Sequence, residues 1–185
     1  MKAGIIMTHS LPLTNSAATR QLCLTALFAA LICAGTLVMI PLPFGYFNLG
    51  DIFILCAAWS LGPVLGASAA AVGSALADIL AGFAVYAPAT FVIKGCIALS
   101  AALLFPLFSA LFKKVLAAHI CSAVIGESLM VLGYFVYEAV FLGLGTGAAA
   151  SIPGNTLQGV CGVIGASLLI RVLSANRAIR RMLRN

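Results

Sequence analysis

The sequence predicts an all-α integral membrane protein, a bundle of six transmembrane helices with both termini cytoplasmic. Three observations carry that prediction. Hydrophobic residues make up 63% of the 185, and charged residues only 8%, whereas a soluble domain is near half apolar and a quarter charged. The apolar stretches are long and unbroken, about the twenty residues a helix needs to cross a bilayer, rather than the ten-residue alternations of a barrel. The connections that carry Lys or Arg lie on one side of the predicted spans, as a fixed orientation requires.

The chain divides into a cytoplasmic N-terminal tail (1–20), a six-helix transmembrane domain (21–174) and a basic cytoplasmic C-terminus (175–185). The tail holds Lys2 and Pro12 and no convincing cleavage site, so it reads as a short tail and not as a removed signal peptide. Proline, glycine and charge mark the spans. The first covers about 22–40 and stops at Pro41 and Pro43; the second covers 50–61 and breaks at Gly62-Pro63. Twelve residues are short for a crossing, so that span begins earlier or sits in a thin, protein-covered place. The remaining spans fall at about 64–83, 89–112, 117–144 and 157–173.

Charge orients this set. Lys2 and Arg20 precede the first span, Lys113 and Lys114 separate the fourth and fifth, and Arg171, Arg177, Arg180, Arg181 and Arg184 close the chain. The connections after spans one, three and five contain no Lys or Arg. Both termini and the 113–114 turn therefore face the cytoplasm. The net charge of +6 is a topology and anionic-lipid signal, with no nucleic-acid partner implied. Six cysteines stand singly, without a CxxC or a His/Cys cluster, so they serve as small hydrophobes and no metal site is expected.

Once the spans are oriented, each polar residue inside them acquires a depth. Asp51, Asp78, Lys94, Glu138, Asn155 and Gln158 all fall in one layer beneath the outer surface, while Glu127 and His119 lie deeper or toward the cytoplasm. Charge in hydrocarbon costs roughly 2.5–3.5 kcal/mol even on lenient scales, so such residues tend to mark sites. Plainer readings stand beside that one. Asp51 is placed either to cap its helix or to contact a ligand at a pocket rim; Asp78 and Lys94 are placed either in a pocket or as an ion pair between spans three and four. In the fifth span Glu127, Tyr134, Glu138 and Phe141 share one helical face, which suits the edge and face of a flat ligand. The aromatic loops around Phe44, Tyr46, Phe47 and Asn48, and around Phe83 and Tyr86, are fitting lids. Ala26, Ala30 and Ala34 form a smooth ridge at four-residue spacing; Gly62 with Gly66, and Gly159, Gly162 and Gly165, are further small-residue runs.

Catalysis has little to stand on. There is no GxxxxGK[ST] loop and no HExxH, and no Ser or Cys has a plausible His base. Neither an enzyme nor a cofactor is expected.

The segment NLGDIFILCAAWSLGPVLGASAAAVGSALADILAGFAVYAPATFVIKG, residues 48–95, resembles the substrate-binding S components of energy-coupling-factor (ECF) vitamin transporters, most closely the riboflavin-transporter-like branch. LGD, the GP turn, G-x-A-L-A-D and the P-x-T-F-x-I-K-G run match in order, and the alanine ridge is similar to the AxxxA motif of the family's first helix. The resemblance implies a high-affinity subunit whose vitamin sits near the outer face under the loops after helices one, three and five. It implies a transmembrane coupling (T) subunit docked on Ala26, Ala30 and Ala34, two cytoplasmic ATPases that supply the energy, and delivery by toppling in the prokaryotic plasma membrane. The expected pocket holds Asp51, Asp78, Lys94, Tyr134 and Glu138, with Asn48, Tyr86, Asn155 and Gln158 as accessory contacts. Its polar groups suit a pyridoxine-like or hydroxymethylpyrimidine-like vitamin, with riboflavin third. The rival reading is a self-sufficient proton-coupled carrier relaying protons through Asp78, Glu127 and Glu138.

Overall fold

A computed structural model describes residues 16–42 and 45–176. Residues 1–15, Phe44 and the arginines from Arg177 onward, all of which entered the expectations above, lie outside the described residues. Among the described residues the chain is mostly helical, and five helical stretches are long and apolar enough to cross a membrane. In chain order the elements are α1 (Ser16–Leu37), strands β1 (Met39–Leu42) and β2 (Gly45–Asn48), α2 (Gly50–Leu80), α3 (Ala87–Leu111), α4 (Val115–Val136) and α5 (Ile152–Ala175). A single π turn, Tyr137–Phe141, continues α4, and a 3-10 segment, Gly145–Ser151, leads into α5.

The first span was expected to reach residue 40, but α1 ends at Leu37. Pro41 has no amide hydrogen to continue a helix, and the Met39–Leu42 stretch instead pairs antiparallel with Gly45–Asn48, Met39 opposite Asn48 and Leu42 opposite Gly45. A lone two-stranded hairpin is marginal on its own. Here it is tied to the bundle by the Leu49 amide, which donates to Gly35 O at 3.1 Å, and by the Asn48 amide, which donates to Gln158 Oε1 at 3.2 Å.

At 1.5 Å per residue a straight α2 of 31 residues would extend about 46 Å, well past a hydrocarbon core of about 30 Å. It is not straight. Gly62 adopts φ 80° and ψ −175°, a conformation open mainly to glycine, and Pro63 starts the helix afresh. A Cβ placed on Gly66 would stand 2.9 Å from the Cα of Ala58 and 3.0 Å from the carbonyl oxygen of Ala57. Residues eight apart in a straight helix are about 12 Å distant, so the chain folds back at Gly62 and its two limbs, 50–61 and 63–80, pack side by side. Those limbs coincide with the stretches 50–61 and 64–83 marked off by the GP break in the sequence.

Packing throughout depends on small residues. Ile32, Ile54, Leu55, Ile97 and Met130 are fully buried, and between them lie Ala57, Ala58, Ala69, Ala70, Ala98, Ala101, Ala123 and Ala166. Such residues let helix backbones approach closely, the main source of helix association in lipid. The glycine runs are used internally: Gly66 against the first limb of α2, Gly159 and Gly162 against Glu127, and Gly165 against Ile52. The alanine ridge is not, since Ala26, Ala30 and Ala34 are all exposed on α1.

One ion pair lies at the centre of this packing. Lys94 Nζ of α3 meets Asp51 Oδ1 of α2 at 2.6 Å, with both side chains at most 2% exposed. Gln158 Nε2 of α5 donates to the other Asp51 oxygen at 2.6 Å, and Met130 Sδ of α4 lies 3.0 Å from the ammonium. Four helices are thereby joined at one point.

Removing one partner of a buried pair leaves an uncompensated charge, a loss of about 3–5 kcal/mol. Asp51→Ala in detergent-solubilised protein should lower the thermal midpoint sharply, and Asp51→Ala with Lys94→Met should recover most of it; a single substitution no worse than the double would refute the pairing. Gly66→Leu should cost roughly 1–3 kcal/mol by overpacking, read from the same melts; an unchanged midpoint would mean that the limbs of α2 are not in contact.

Candidate functional site

The β-hairpin, the 81–86 turn and the 142–151 connection gather at one end of the bundle and enclose a cavity of about 240 Å³. The cavity draws its wall from every helix: Thr36 of α1, Asp78 of α2, Thr90 and Lys94 of α3, Tyr134 of α4, and Gly154, Asn155 and Gln158 of α5, with Glu138 from the π turn.

The floor is built from a chain of hydrogen bonds. The Gly50 amide donates to Asn48 Oδ1 at 3.0 Å, so Asn48 serves the first turn of α2. The Asn48 amide donates to Gln158 Oε1, and Gln158 passes its amide hydrogen to Asp51. Asp51 then holds the Lys94 ammonium. Asp51 itself makes no capping bond and does not reach the cavity wall. Neither place read for it from sequence is the one it occupies: it lies fully buried beneath the floor and fixes Lys94. Of the two readings of Asp78 and Lys94, the ion pair is not the one found: both line the cavity, and the fold-back of α2 brings Asp51 onto the ammonium.

Above the floor, Lys94 Nζ lies 5.7 Å from the Tyr134 ring centroid, a cation–π approach. The Tyr134 hydroxyl shares a hydrogen bond of 2.9 Å with Thr90 Oγ1. Asp78, 7% exposed, has one carboxylate oxygen, Oδ2, that is buried with no hydrogen-bond partner among the described residues. Glu138 is buried and accepts from the Tyr86 hydroxyl at 3.4 Å. Asn155 completes the wall, half-buried.

The roof is aromatic. Tyr46 of β2 and Phe83 of the 81–86 turn bring their ring centroids to 5.5 Å, joining two loops over the cavity. Tyr86 lies 5.7 Å from Tyr137, whose hydroxyl donates to Val85 O at 2.5 Å and fastens the turn to the end of α4. Burial raises the Tyr46 and Tyr86 hydroxyls above the ordinary tyrosine range, and the neighbouring carboxylates, Asp78 for Tyr46 and Glu138 for Tyr86, add to the rise. Both therefore keep their protons well above neutral pH and remain hydrogen-bond donors.

Of the nine residues expected from sequence, Asn48, Asp78, Tyr86, Lys94, Tyr134, Glu138, Asn155 and Gln158 line this one cavity. Thr36, Thr90, Ser151 and Gly154 line it too and were not anticipated. Thr90 had a readable signal, since it lies four residues before Lys94 on the same face of α3; Thr36 and Ser151 had none. The shared face of the fifth span holds only in part. Tyr134 and Glu138 face the cavity, but the π turn adds a residue to the winding and sends Phe141 outward, 75% exposed.

The deeper polar residues are elsewhere. Glu127 lies below the floor against Gly159 and Gly162, its carboxylate oxygens without partners among the described residues. It borders a separate, largely apolar cavity of about 530 Å³ between α4 and α5. His119 is packed between Trp59 and Phe105, each ring centroid 4.5 Å away. Among the described residues no three of His, Cys, Asp and Glu gather to hold a metal ion.

Comparison with known proteins agrees with this architecture. Residues 16–175 match the profile of the ECF-type riboflavin transporter, S component. A protein of Pyrococcus woesei described as "Uncharacterized protein in gap 3'region" is 38% identical over 130 residues, 69% of this chain and 83% of its own. The solved S component of a bacterial ECF transporter superposes with a TM-score of 0.69 at 23% identity, over 85% of this chain and 97% of that one, a likeness of fold. The chain, a multi-pass protein of the prokaryotic plasma membrane, belongs to the ECF-type riboflavin transporter S component family.

Proposed function

We propose that this chain is the high-affinity substrate-binding subunit of an ATP-driven ECF importer and that the 240 Å³ cavity receives a small water-soluble vitamin. The observation that carries the reading is the convergence of polar side chains from five helices and the π turn on one buried chamber under aromatic loops. In a membrane protein such groups are expensive unless they serve a ligand.

Counted as separate spans, the two limbs of α2 would bring the crossings to six, and the cavity would then lie on the outer side with both termini in the cytoplasm. The fold-back at Gly62 supports that count, and the positions of Arg20, Lys113, Lys114 and Arg171 support the orientation. Ligand pockets for drug-sized molecules run from about 300 to 1,000 Å³, and this cavity is smaller. A single heteroaromatic ring, pyridoxine-like or hydroxymethylpyrimidine-like, is therefore favoured over the tricyclic riboflavin of the family's name. Tyr46, Phe83 and Tyr86 would cover the ring, while Asp78, Glu138, Asn155 and Gln158 would meet its edge. Asp51 would act only through Lys94.

Import would require partners. The exposed ridge of Ala26, Ala30 and Ala34 is the surface on which a T subunit, driven by two ATPases, would dock, because small residues let a second helix approach closely.

Purified protein should gain thermal stability from at least one vitamin of a water-soluble panel, by about 2.7 kcal/mol at a hundred times its Kd; a panel without effect at micromolar concentration would overturn the binding role. Ala30→Trp should leave that stabilisation intact and abolish vitamin uptake by cells carrying the coupling subunits. Equal loss of binding and uptake would remove the ridge from docking.

A further inference from the structure

The cavity has a charge imbalance that narrows its ligand. Among the described residues Lys94 is the only basic one in the wall, and its ammonium is already neutralised from below by Asp51 at 2.6 Å. Met130 Sδ, at 3.0 Å, occupies a second direction around the nitrogen. Two carboxylates in the wall have no ion-pair partner among the described residues, although the charge of Lys94 still reaches Asp78. Asp78, from the second limb of α2, leaves Oδ2 without a donor among the described residues although the residue is 93% buried. Glu138, from the π turn, has only the long 3.4 Å bond from Tyr86. Four aromatic rings, those of Tyr46, Phe83, Tyr86 and Tyr134, complete the same chamber.

Acceptors without donors, excess negative charge and aromatic faces together describe a receptor for positive charge. A buried carboxylate oxygen without a partner is costly, and what fills the cavity can supply the missing hydrogen. An N–H carrying positive charge does so about twice as well as a neutral one, and the rings favour a cation at their faces. An anionic group would meet Asp78 and Glu138 with no free cation among the described residues of the wall to answer it.

From this, and resting on the vitamin-binding reading above, we infer that the ligand is a small organic cation: a flat heteroaromatic whose protonated amine, amidine or ring nitrogen lies between Asp78 and Glu138. Carboxylated and phosphorylated vitamins are excluded from the cavity, and a neutral ring binds less tightly than its aminated counterpart.

The test is calorimetric titration of the full-length purified protein with probes matched in shape and differing in charge: pyridoxamine, pyridoxine and pyridoxal 5′-phosphate as one series, thiamine and thiamine diphosphate as another, and riboflavin as the uncharged family reference. In at least one series the cationic member should bind at least about tenfold tighter than its neutral or anionic counterparts. Asp78→Asn and Glu138→Gln should each remove most of that preference while changing affinity for the neutral probe by less than about threefold. The wild-type series decides the matter even where a variant fails to fold. Tighter binding of pyridoxine or riboflavin than of any cationic probe would overturn the cation assignment and leave vitamin binding standing. No binding by any of the six would overturn both.

Discussion

The pairing of Asp51 with Lys94 is the interaction on which the remainder of the structure depends. An ammonium and a carboxylate, both sealed from solvent, are tolerable only if each is fully satisfied, and satisfying them recruits α5 through Gln158 and α4 through Met130. The same bonds run upward through Gln158 and Asn48 into the β-hairpin and the start of α2. Bundle core and cavity floor are therefore one network, and the position of the loops above is inherited from it. Gly162 leaves room for this arrangement: a Cβ there would crowd Asp51 Cβ at 3.0 Å and Glu127 Oε1 at 3.1 Å.

Much of this was legible in the sequence, for identifiable reasons. The spans could be read because hydrocarbon permits few polar residues, so Gly62-Pro63 and the charged connections stand out against 63% hydrophobic composition. The polar layer could be read because helical depth follows from counting residues at a fixed rise. What could not be read was which polar side chain meets which. Asp51 and Asp78 lie 27 residues apart, and a backbone reversal at one glycine determines which of them reaches Lys94. The β-hairpin escaped for a different reason: its strands, MIPL and GYFN, are only four residues long, too short for a two-residue alternation to show.

The distribution of small residues separates two tasks. Glycine runs on α2 and α5 are consumed inside the bundle, whereas the alanines on α1 face outward along its length. A folded membrane protein that keeps a smooth ridge against lipid while packing comparable ridges internally leaves one surface free for association without weakening its own core. The chamber and the ridge share no residue: of the described residues of α1 only Thr36 enters the cavity wall.

The π turn at 137–141 has a consequence for how such a cavity changes over generations. Glu127 and Tyr134 are set by the regular winding below it, and Glu138 and Tyr137 by the wide turn itself. A wide turn is in effect one residue gained within a helix. Loss or gain of a residue there would rotate the side chains beyond it by about a quarter turn while leaving the phase of α4 below undisturbed. The end of α4 is thus a place where the acidic wall of the chamber can be re-aimed without asking the bundle to repack.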